Sequence, residues 1–395
     1  MTLPFIMKSI PRIEFGTGAL GSLPAHIERY GSRLLLVAGG HSFTDSNHCR
    51  KLLDTLEKKG VSVKMARVEG EPSPALVNAI TERYFDRGIE VVTAIGGGAV
   101  LDAGKALAAM LIEGGDVTRF LEGVGTETPG GNRLPFIAVP TTSGTGSEAT
   151  ANAVLSSVGP GGFKKSLRHP SYIPDLALVD PALTLSCPPR LTAFAAMDCF
   201  SQLVEAFLST HASDFTDSLA LEGIRTLSRS IRTVVYEGQN IEARSNLACA
   251  ALLSGIVLAN AGLGTVHGFA SAAGGLFPLP HGLVCGALMA PANALTLIRL
   301  RELPENSERK TALEKYATLG SIFAGREGHG KSAAWKQDFF IEEVKRLSRE
   351  FQLPSFRDYG VAEEDIPAIV SGAGNKYNPV QFDTDELSTI LEHCL

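Results

Sequence analysis

The chain has 395 residues, 44% of them apolar and 20% charged, with a net charge of −6. That length supports two domains, or three, each able to bury a full core. The mild acidity, with no basic run or patch to meet phosphates, argues against a nucleic-acid partner. The start, MTLPFIMKSIPRIEF, lacks the long apolar run of a secretory signal. Cys49, Cys187, Cys199, Cys249, Cys285 and Cys394 form no CxxC pair. Reduced thiols in a cytoplasmic protein are the expectation.

The first half alternates strands and helices. Residues 13–15 form a short strand ending at Gly16. Residues 32–38 (SRLLLVA) are a continuous apolar run, as a buried parallel strand would be, ending in Gly39-Gly40. Helical spacing over 44–59 closes at Gly60. A strand over 61–68 follows, then a helix over 74–87 closed by Gly88. The strand 89–95 runs straight into Gly96-Gly97-Gly98. Residues 100–113 are helical, and 136–139 form a strand ending at Pro140. This alternation predicts a doubly wound parallel sheet.

After residues 178–180 the periodicity breaks at Pro181, Pro188 and Pro189, which places a domain boundary between 1–185 and 186–395. Helical patterns alone follow: 190–208, 214–236, 241–260, 263–275, 283–297, 308–323, 332–351, 362–371 and 384–393. Between Ser245 and Ile298 there is no Asp, Glu, Lys or Arg. Gly255, Gly262, Gly264, Gly268, Gly274, Gly275, Gly282, Pro278 and Pro280 interrupt it. A bilayer span needs about 20 mainly apolar residues without such breaks. The stretch therefore reads as a pair of helices buried all round and joined by a Gly/Pro-rich turn. His267 and His281 lie inside it. A core histidine with a backbone partner is the plain reading of either alone; two together point to a site.

Three glycines directly after an apolar strand let a phosphate approach the backbone and meet the free amides of the next helix. Asp102 and Lys105 lie in that helix's first turns. Neither the strict GxGxxG fingerprint nor a Walker A loop fits, since Ala106 follows the lysine. A structural turn is the alternative. The loop from Pro140 to Glu148 (PTTSGTGSE) gathers hydroxyls and glycines at another strand end, where ligands of open α/β sheets bind; a flexible surface loop would read the same way. Asp198 and Gln202, four apart in one helix, share a face. Asp198 lies among apolar residues and needs a partner or a cation. With His267 and His281 the set offers a carboxylate, an amide oxygen and two imidazoles, a mixture suited to Fe²⁺ or Zn²⁺.

GGGAVLDAGK (96–105), PTTSGTGSE (140–148), Asp198 within MDCFSQLVEAF, and His267 with His281 around GGLFPLPHG resemble the iron-containing (group III) alcohol dehydrogenases. The resemblance runs over nearly the whole chain, to Asn378-Pro379. It implies an α/β plus all-α protein, dehydroquinate synthase-like: an N-terminal Rossmann-like parallel-sheet domain, a C-terminal all-helical domain, and a cleft holding NAD(P) and a divalent metal. Gly97, Gly98 and Asp102 match positions that hold the pyrophosphate and the nicotinamide side. Thr141, Thr142 and Thr145 match the cofactor-contacting threonine loop, and Lys164 looks like the family's cofactor-contacting lysine. Asp198, His267 and His281 match three of four metal ligands and are the residues expected to carry catalysis.

Three positions depart from the family pattern. Gln202 stands where the second metal ligand is usually histidine, and its amide oxygen is the weaker donor. Ser271 replaces a histidine near the substrate, and Ala99 replaces a serine of the glycine motif. Gly39 stands where NAD-preferring relatives tend to carry an acid for the ribose 2′-hydroxyl, which permits NADP and mildly favours it. The resemblance implies hydride transfer between nicotinamide and a small aldehyde or ketone, in a homo-oligomer such as a dimer, away from membranes. The alternatives are a metal-independent enzyme similar to the maleylacetate reductases, a sugar-phosphate cyclase or polyol-phosphate dehydrogenase, and a catalytically degenerate nucleotide-binding protein.

Overall fold

The β-branched and leucine-rich runs of the first half have the composition of strands buried on both faces, and they assemble accordingly. The computed structural model describes residues 5–395; the first four residues of the start considered above lie outside the described residues. The sheet domain contains β1 (Arg12–Phe15), α1 (Leu23–Tyr30), β2 (Arg33–Gly39), α2 (Asn47–Lys58), β3 (Ser62–Val68), α3 (Pro74–Tyr84), β4 (Val91–Gly96) and α4 (Gly98–Glu113). It is completed by β5 (Phe136–Pro140), β6 (Asn152–Ser157), β7 (Phe163–Arg168) and β8 (Leu176–Val179).

Six of these strands form one parallel sheet in the order β1-β8-β5-β4-β2-β3. Leu52 and Leu56 of α2 pack with Leu34 and Leu36 on one face. Leu101 and Leu107 of α4 pack with Leu35 and Val92 on the other. The connections leaving β2 and β4 therefore depart to opposite sides, and the crevice between the ends of these neighbouring strands is the topological switch point. Gly96 of β4 pairs with Pro140 of β5. The glycine loop and the threonine loop thus spring from the same level, joined by Thr141 N–H donating to Gly96 O at 2.9 Å.

The antiparallel hairpin β6–β7 has no counterpart in the sequence expectations. It leaves the sheet and lies against the helical half, where Gly159 N–H donates to Gly275 O at 3.1 Å.

The helical half begins at Pro189. It comprises α5 (Pro189–Leu208), α6 (Asp214–Tyr236), α7 (Ile241–Ala261), α8 (Thr265–Leu276), α9 (His281–Glu302), α10 (Ser307–Ala324), α11 (Ala333–Glu350), α12 (Ile366–Gly372) and α13 (Thr384–Glu392). The charge-free stretch falls in three helices, α7, α8 and α9, as the helical spacing over 241–260, 263–275 and 283–297 predicts, and not in a single pair: Gly262 and Gly264 break it once and Pro278 and Pro280 again. By length and composition α5, α7 and α9 could each cross a membrane, yet all three are largely buried inside the protein.

Where the halves meet, glycine replaces side chains. Gly146 holds φ +61° in the threonine loop, and a Cβ on Gly255 of α7 would lie 2.2 Å from Gly146 O. A glycine inside a helix costs about 1 kcal/mol against alanine, so Gly255 is there for the approach. Gly255→Ala is expected to destabilise the protein by about 1–3 kcal/mol despite the better helix former, because two backbones must separate. Thermal denaturation beside Gly21→Ala, whose Cβ would meet nothing within 4 Å, is the check. An unchanged midpoint in Gly255→Ala would contradict the tight seam.

Candidate active site

Asp198, Gln202 and Glu205 occupy one stripe of α5 at helical spacing, all within the core. α8 begins at Thr265 and carries His267; α9 begins at His281, directly after Pro280. Asp198 is 2% exposed. Its Oδ1 stands 3.5 Å from Nε2 of His267 and 3.5 Å from Nε2 of His281. Both separations exceed a hydrogen bond, so the two rings face the carboxylate oxygen without bonding to it. His267 Nδ1–H donates to Glu205 at 2.7 Å, and Glu205 also accepts from Val266 N–H at 2.6 Å. That pair fixes the ring and turns Nε2 toward Asp198.

Gln202 is engaged at both ends of its amide. Nε2 donates to Asp198 Oδ1 at 3.1 Å, and Oε1 accepts from Ser254 Oγ of α7 at 2.7 Å. A carboxylate only accepts, so the amide must turn its nitrogen toward Asp198. In this arrangement the Gln202 oxygen, expected to face an ion, points to Ser254 and its nitrogen to Asp198.

Cys285 was read in the sequence only as one of six scattered thiols. Its Sγ lies 3.6 Å from His267 Nε2 and 3.7 Å from His281 Nε2. Asp198, His267, His281 and Cys285 place one ligand atom each within 4.8 Å of one another. The spacing His281–Cys285 on one helix face was the available signal, as was Glu205 three residues beyond Gln202. Burial pushes the Asp198 carboxyl up, but the His281 and His267 imidazoles bring it below its usual range. Burial lowers His267, yet Cys285, Asp198 and Glu205 hold it well above the ordinary imidazole value. The Cys285 thiol, raised by burial, ends below its usual value because of the two imidazoles. Two groups inclined to be anionic, two imidazole nitrogens facing them and no Lys or Arg in the cluster form a donor set that fits a divalent cation.

A cavity of about 340 Å³ opens over this cluster, lined by Gly98, Asp102, Thr145, Lys164, Gln202, His267 and His281, with Leu258, Leu263, Ser271 and Tyr377. A second, of about 320 Å³, holds Thr141 and Thr142 with Phe43, His48, Leu183 and Cys187. Gly97 lies against Thr142, and a Cβ on Gly98 would stand 2.6 Å from the Thr145 side chain. The glycine strip thus runs between the two cavities. No side chain caps the N-terminus of α4, which leaves its amides to a ligand. Glycine strip and free amides fit a dinucleotide's pyrophosphate. Gly39 ends β2 and lines neither cavity; its Cβ would meet only Val100. Lys164 Nζ pairs with Glu71 at 2.9 Å at the cavity's edge. The wider groove of about 990 Å³ between Glu305 and Gln337 is open, carries solvated charges and holds none of these groups.

Asp102 does not stand free in the cavity: Ser147 Oγ and Val154 N–H both donate to it. Lys105, fully buried, donates to Ser147 O, Thr150 Oγ1 and Asn152 O at 2.7–3.1 Å. Both residues fasten the threonine loop and the hairpin to α4.

A parallel sheet with an open switch point, facing a helical domain whose core holds a metal-ligand cluster, defines a dinucleotide-dependent oxidoreductase. The family comparisons agree. Residues 11–181 match the iron-containing alcohol dehydrogenase model, and residues 192–395 match that of the Fe-containing alcohol dehydrogenase family, C-terminal. The chain belongs to the iron-containing alcohol dehydrogenase family. It is 36% identical to long-chain-alcohol dehydrogenase 1 of Geobacillus thermodenitrificans over 92% of this chain and 90% of that protein. It is 31% identical to the NADPH-dependent butanol dehydrogenase of Clostridium saccharobutylicum over 97% and 96%. The alcohol dehydrogenase of Oenococcus oeni superposes with a TM-score of 0.87 at 28% identity, over 98% of this chain and 99% of that one. The protein is an NAD(P)-dependent alcohol dehydrogenase, with small-molecule alcohols and aldehydes as its substrate class.

The last residue of the threonine motif carries an electrostatic load. Burial pushes the Glu148 carboxyl up to about 7. A carboxyl raised in the folded state binds its proton more tightly there than when unfolded. Its contribution is therefore fully present below about 4.5 and is lost as pH rises toward about 7. The shift corresponds to about 3 kcal/mol at most. Glu148→Gln is expected to gain on the parent protein across that window, by several degrees at pH 8 and by little at pH 4.5. Melting curves of the two at matched pH test this, and parallel curves would refute it.

Proposed function

We propose that the cleft binds NAD(P)H with its adenosine end toward Phe43, Thr141 and Leu183 and its nicotinamide end toward Lys164 and the His267–His281 pair. The observation that carries this is the run of Gly97 and Gly98 between the two cavities, ending over the Asp198 cluster. Amides at the start of α4 receive the pyrophosphate. Thr145 and Lys164 border the place of the nicotinamide ring, and Leu258, Leu263 and Tyr377 give the substrate's chain an apolar wall that keeps water out. Asp198, His267 and His281 hold a divalent ion, which supplies Lewis-acid polarisation of the carbonyl oxygen while the nicotinamide supplies hydride. Glu205 keeps His267 oriented. The substrates are short aldehydes and ketones, or the alcohols in reverse.

The absence of a carboxylate at Gly39 supports use of NADPH, because a 2′-phosphate meets no repulsion there; the Glu69 side chain, 3.4 Å from the Cβ position of Gly40, limits that preference. The similarity to the NADPH-dependent butanol dehydrogenase already described supports the same reading.

Protein loaded anaerobically with Fe²⁺ or Zn²⁺ should oxidise NADPH with short linear aldehydes. Asp198→Asn should lower kcat/KM by about 10²–10³-fold, the equivalent of a few kcal/mol of lost polarisation. Silence with every aldehyde under both metals would reject the proposal. Separately, Gly39→Asp should cut kcat/KM for NADPH by about tenfold or more, since a carboxylate near a phosphate costs at least about 1.4 kcal/mol at the surface. The NADH value should stay level. An unchanged ratio of the two would remove residue 39 from cofactor choice.

A further inference from the structure

We propose that the Cys285 thiolate is the fourth ligand of the ion held by Asp198, His267 and His281, taking the place that Gln202 does not fill. This rests on the proposed ion-binding role of those three residues. It goes beyond that role in naming a sulfur ligand and, with it, a site that favours Zn²⁺ over Fe²⁺.

The geometry is the first support. Around a tetrahedral ion with bonds of about 2.0–2.1 Å to nitrogen and oxygen and about 2.3 Å to sulfur, nitrogen and oxygen ligands stand about 3.3 Å apart, and nitrogen and sulfur about 3.6 Å. Here Asp198 Oδ1 lies 3.5 Å from each Nε2, and Cys285 Sγ lies 3.6 and 3.7 Å from the same two nitrogens. Four of the six edges among these atoms, which come from three helices, match those of a coordination polyhedron, and the two between N and O are too long for a good hydrogen bond.

The second support is the state of the alternative. Gln202 satisfies Asp198 with its nitrogen and Ser254 with its oxygen. To ligate, it would have to reverse its amide and give up the bond its nitrogen donates to Asp198, while Ser254 Oγ keeps its bond to Ala251 O at 2.8 Å. Cys285 gives up nothing comparable: its neighbours at the site are the imidazoles themselves. The backbone has also been shaped for it. Gly282 and Gly286, the residues following His281 and Cys285, let α9 lie directly on α5, with a Cβ on Gly282 landing 2.2 Å from Phe194 O and one on Gly286 3.0 Å from Met197 Cβ. Bulkier residues there would lift His281 and Cys285 away from Asp198 together. A thiolate is a soft donor and selects for zinc among the divalent ions a His/Asp site can hold.

Cobalt(II) added to the full-length apo protein is the probe, because a cobalt–thiolate bond gives an intense near-ultraviolet charge-transfer band that nitrogen and oxygen ligands do not. The parent protein should bind one Co²⁺ per chain and show the band. Cys285→Ser should keep the fold and bind cobalt at least tenfold more weakly without the band, and Gln202→Ala should retain it. The ratio of zinc to ferrous affinity should fall at least tenfold in Cys285→Ser. Stoichiometric cobalt in the parent with no charge-transfer band, or an unchanged zinc-to-iron ratio in Cys285→Ser, overturns the sulfur ligand and leaves the three-residue site standing. A parent protein that binds no cobalt overturns both.

Discussion

A carboxylate placed at the centre of an apolar helical domain sets the terms for everything packed around it. Asp198 cannot stay charged there unless positive charge comes to it. The chain supplies imidazoles, not Lys or Arg, so three helices must converge within bonding range of one side chain. That demand explains the glycine content of the charge-free stretch. Gly268 faces Gly374 O so closely that no Cβ could be accommodated, and Gly282 faces Phe194 O in the same way. Leucines at these positions would bury more area, but they would hold α8 and α9 a side chain's width from their neighbours. Local packing gives way to the approach of His267, His281 and Cys285.

The same logic joins the two halves. Gly144 approaches Ala195 of α5, and Gly146 approaches Gly255 of α7. The threonine loop is thus held against the helical domain by backbone contact while Lys105 and Asp102 hold it to α4. Lys105 shows how a residue type can mislead. A lysine just beyond a glycine loop suggests phosphate contact, yet this one is sealed among carbonyls and hydroxyls. Its work is mechanical: it keeps the threonine loop and the hairpin in register with α4, opposite the wall that carries Asp198, His267 and His281.

Much of this was legible in the sequence, for reasons that can be named. The bounds of α6 can be read to the residue because Ser213 caps it and an amphipathic stripe runs without interruption to Tyr236. The central strands β2 and β4 announce themselves as unbroken apolar runs ended by glycine. His267 and His281 stood out because nothing else polar of their kind lies near them in the chain. The hairpin β6–β7 stayed hidden since NAVLSS and FKKSLR are short and mixed, and their pairing depends on α8 and α4. The turn of the Gln202 amide depends on Ser254, 52 residues away. Cys285 stayed hidden for another reason: isolated cysteines were weighed by redox compartment, a property of the whole chain, when their position on a helix face was the informative quantity.

Charge arithmetic connects the departures from the family pattern. A divalent ion bound by one carboxylate and neutral ligands leaves a net charge of +1 within an apolar core. With a thiolate added, the centre becomes neutral, and a neutral cluster is far cheaper to bury than a charged one. Gln202 fits that scheme as a neutral residue whose amide orients Asp198 without adding positive charge, while Ser271 brings no third imidazole to the cavity wall. A neutral centre also withdraws less electron density from a carbonyl, so more of the catalytic burden falls on orientation and on the exclusion of water by Leu258, Leu263 and Tyr377. With Cys285 as the proposed ligand, Gln202 and Ser271 would thus shift the site in one direction, toward tighter retention of a soft ion and a greater reliance on the shape of the cleft.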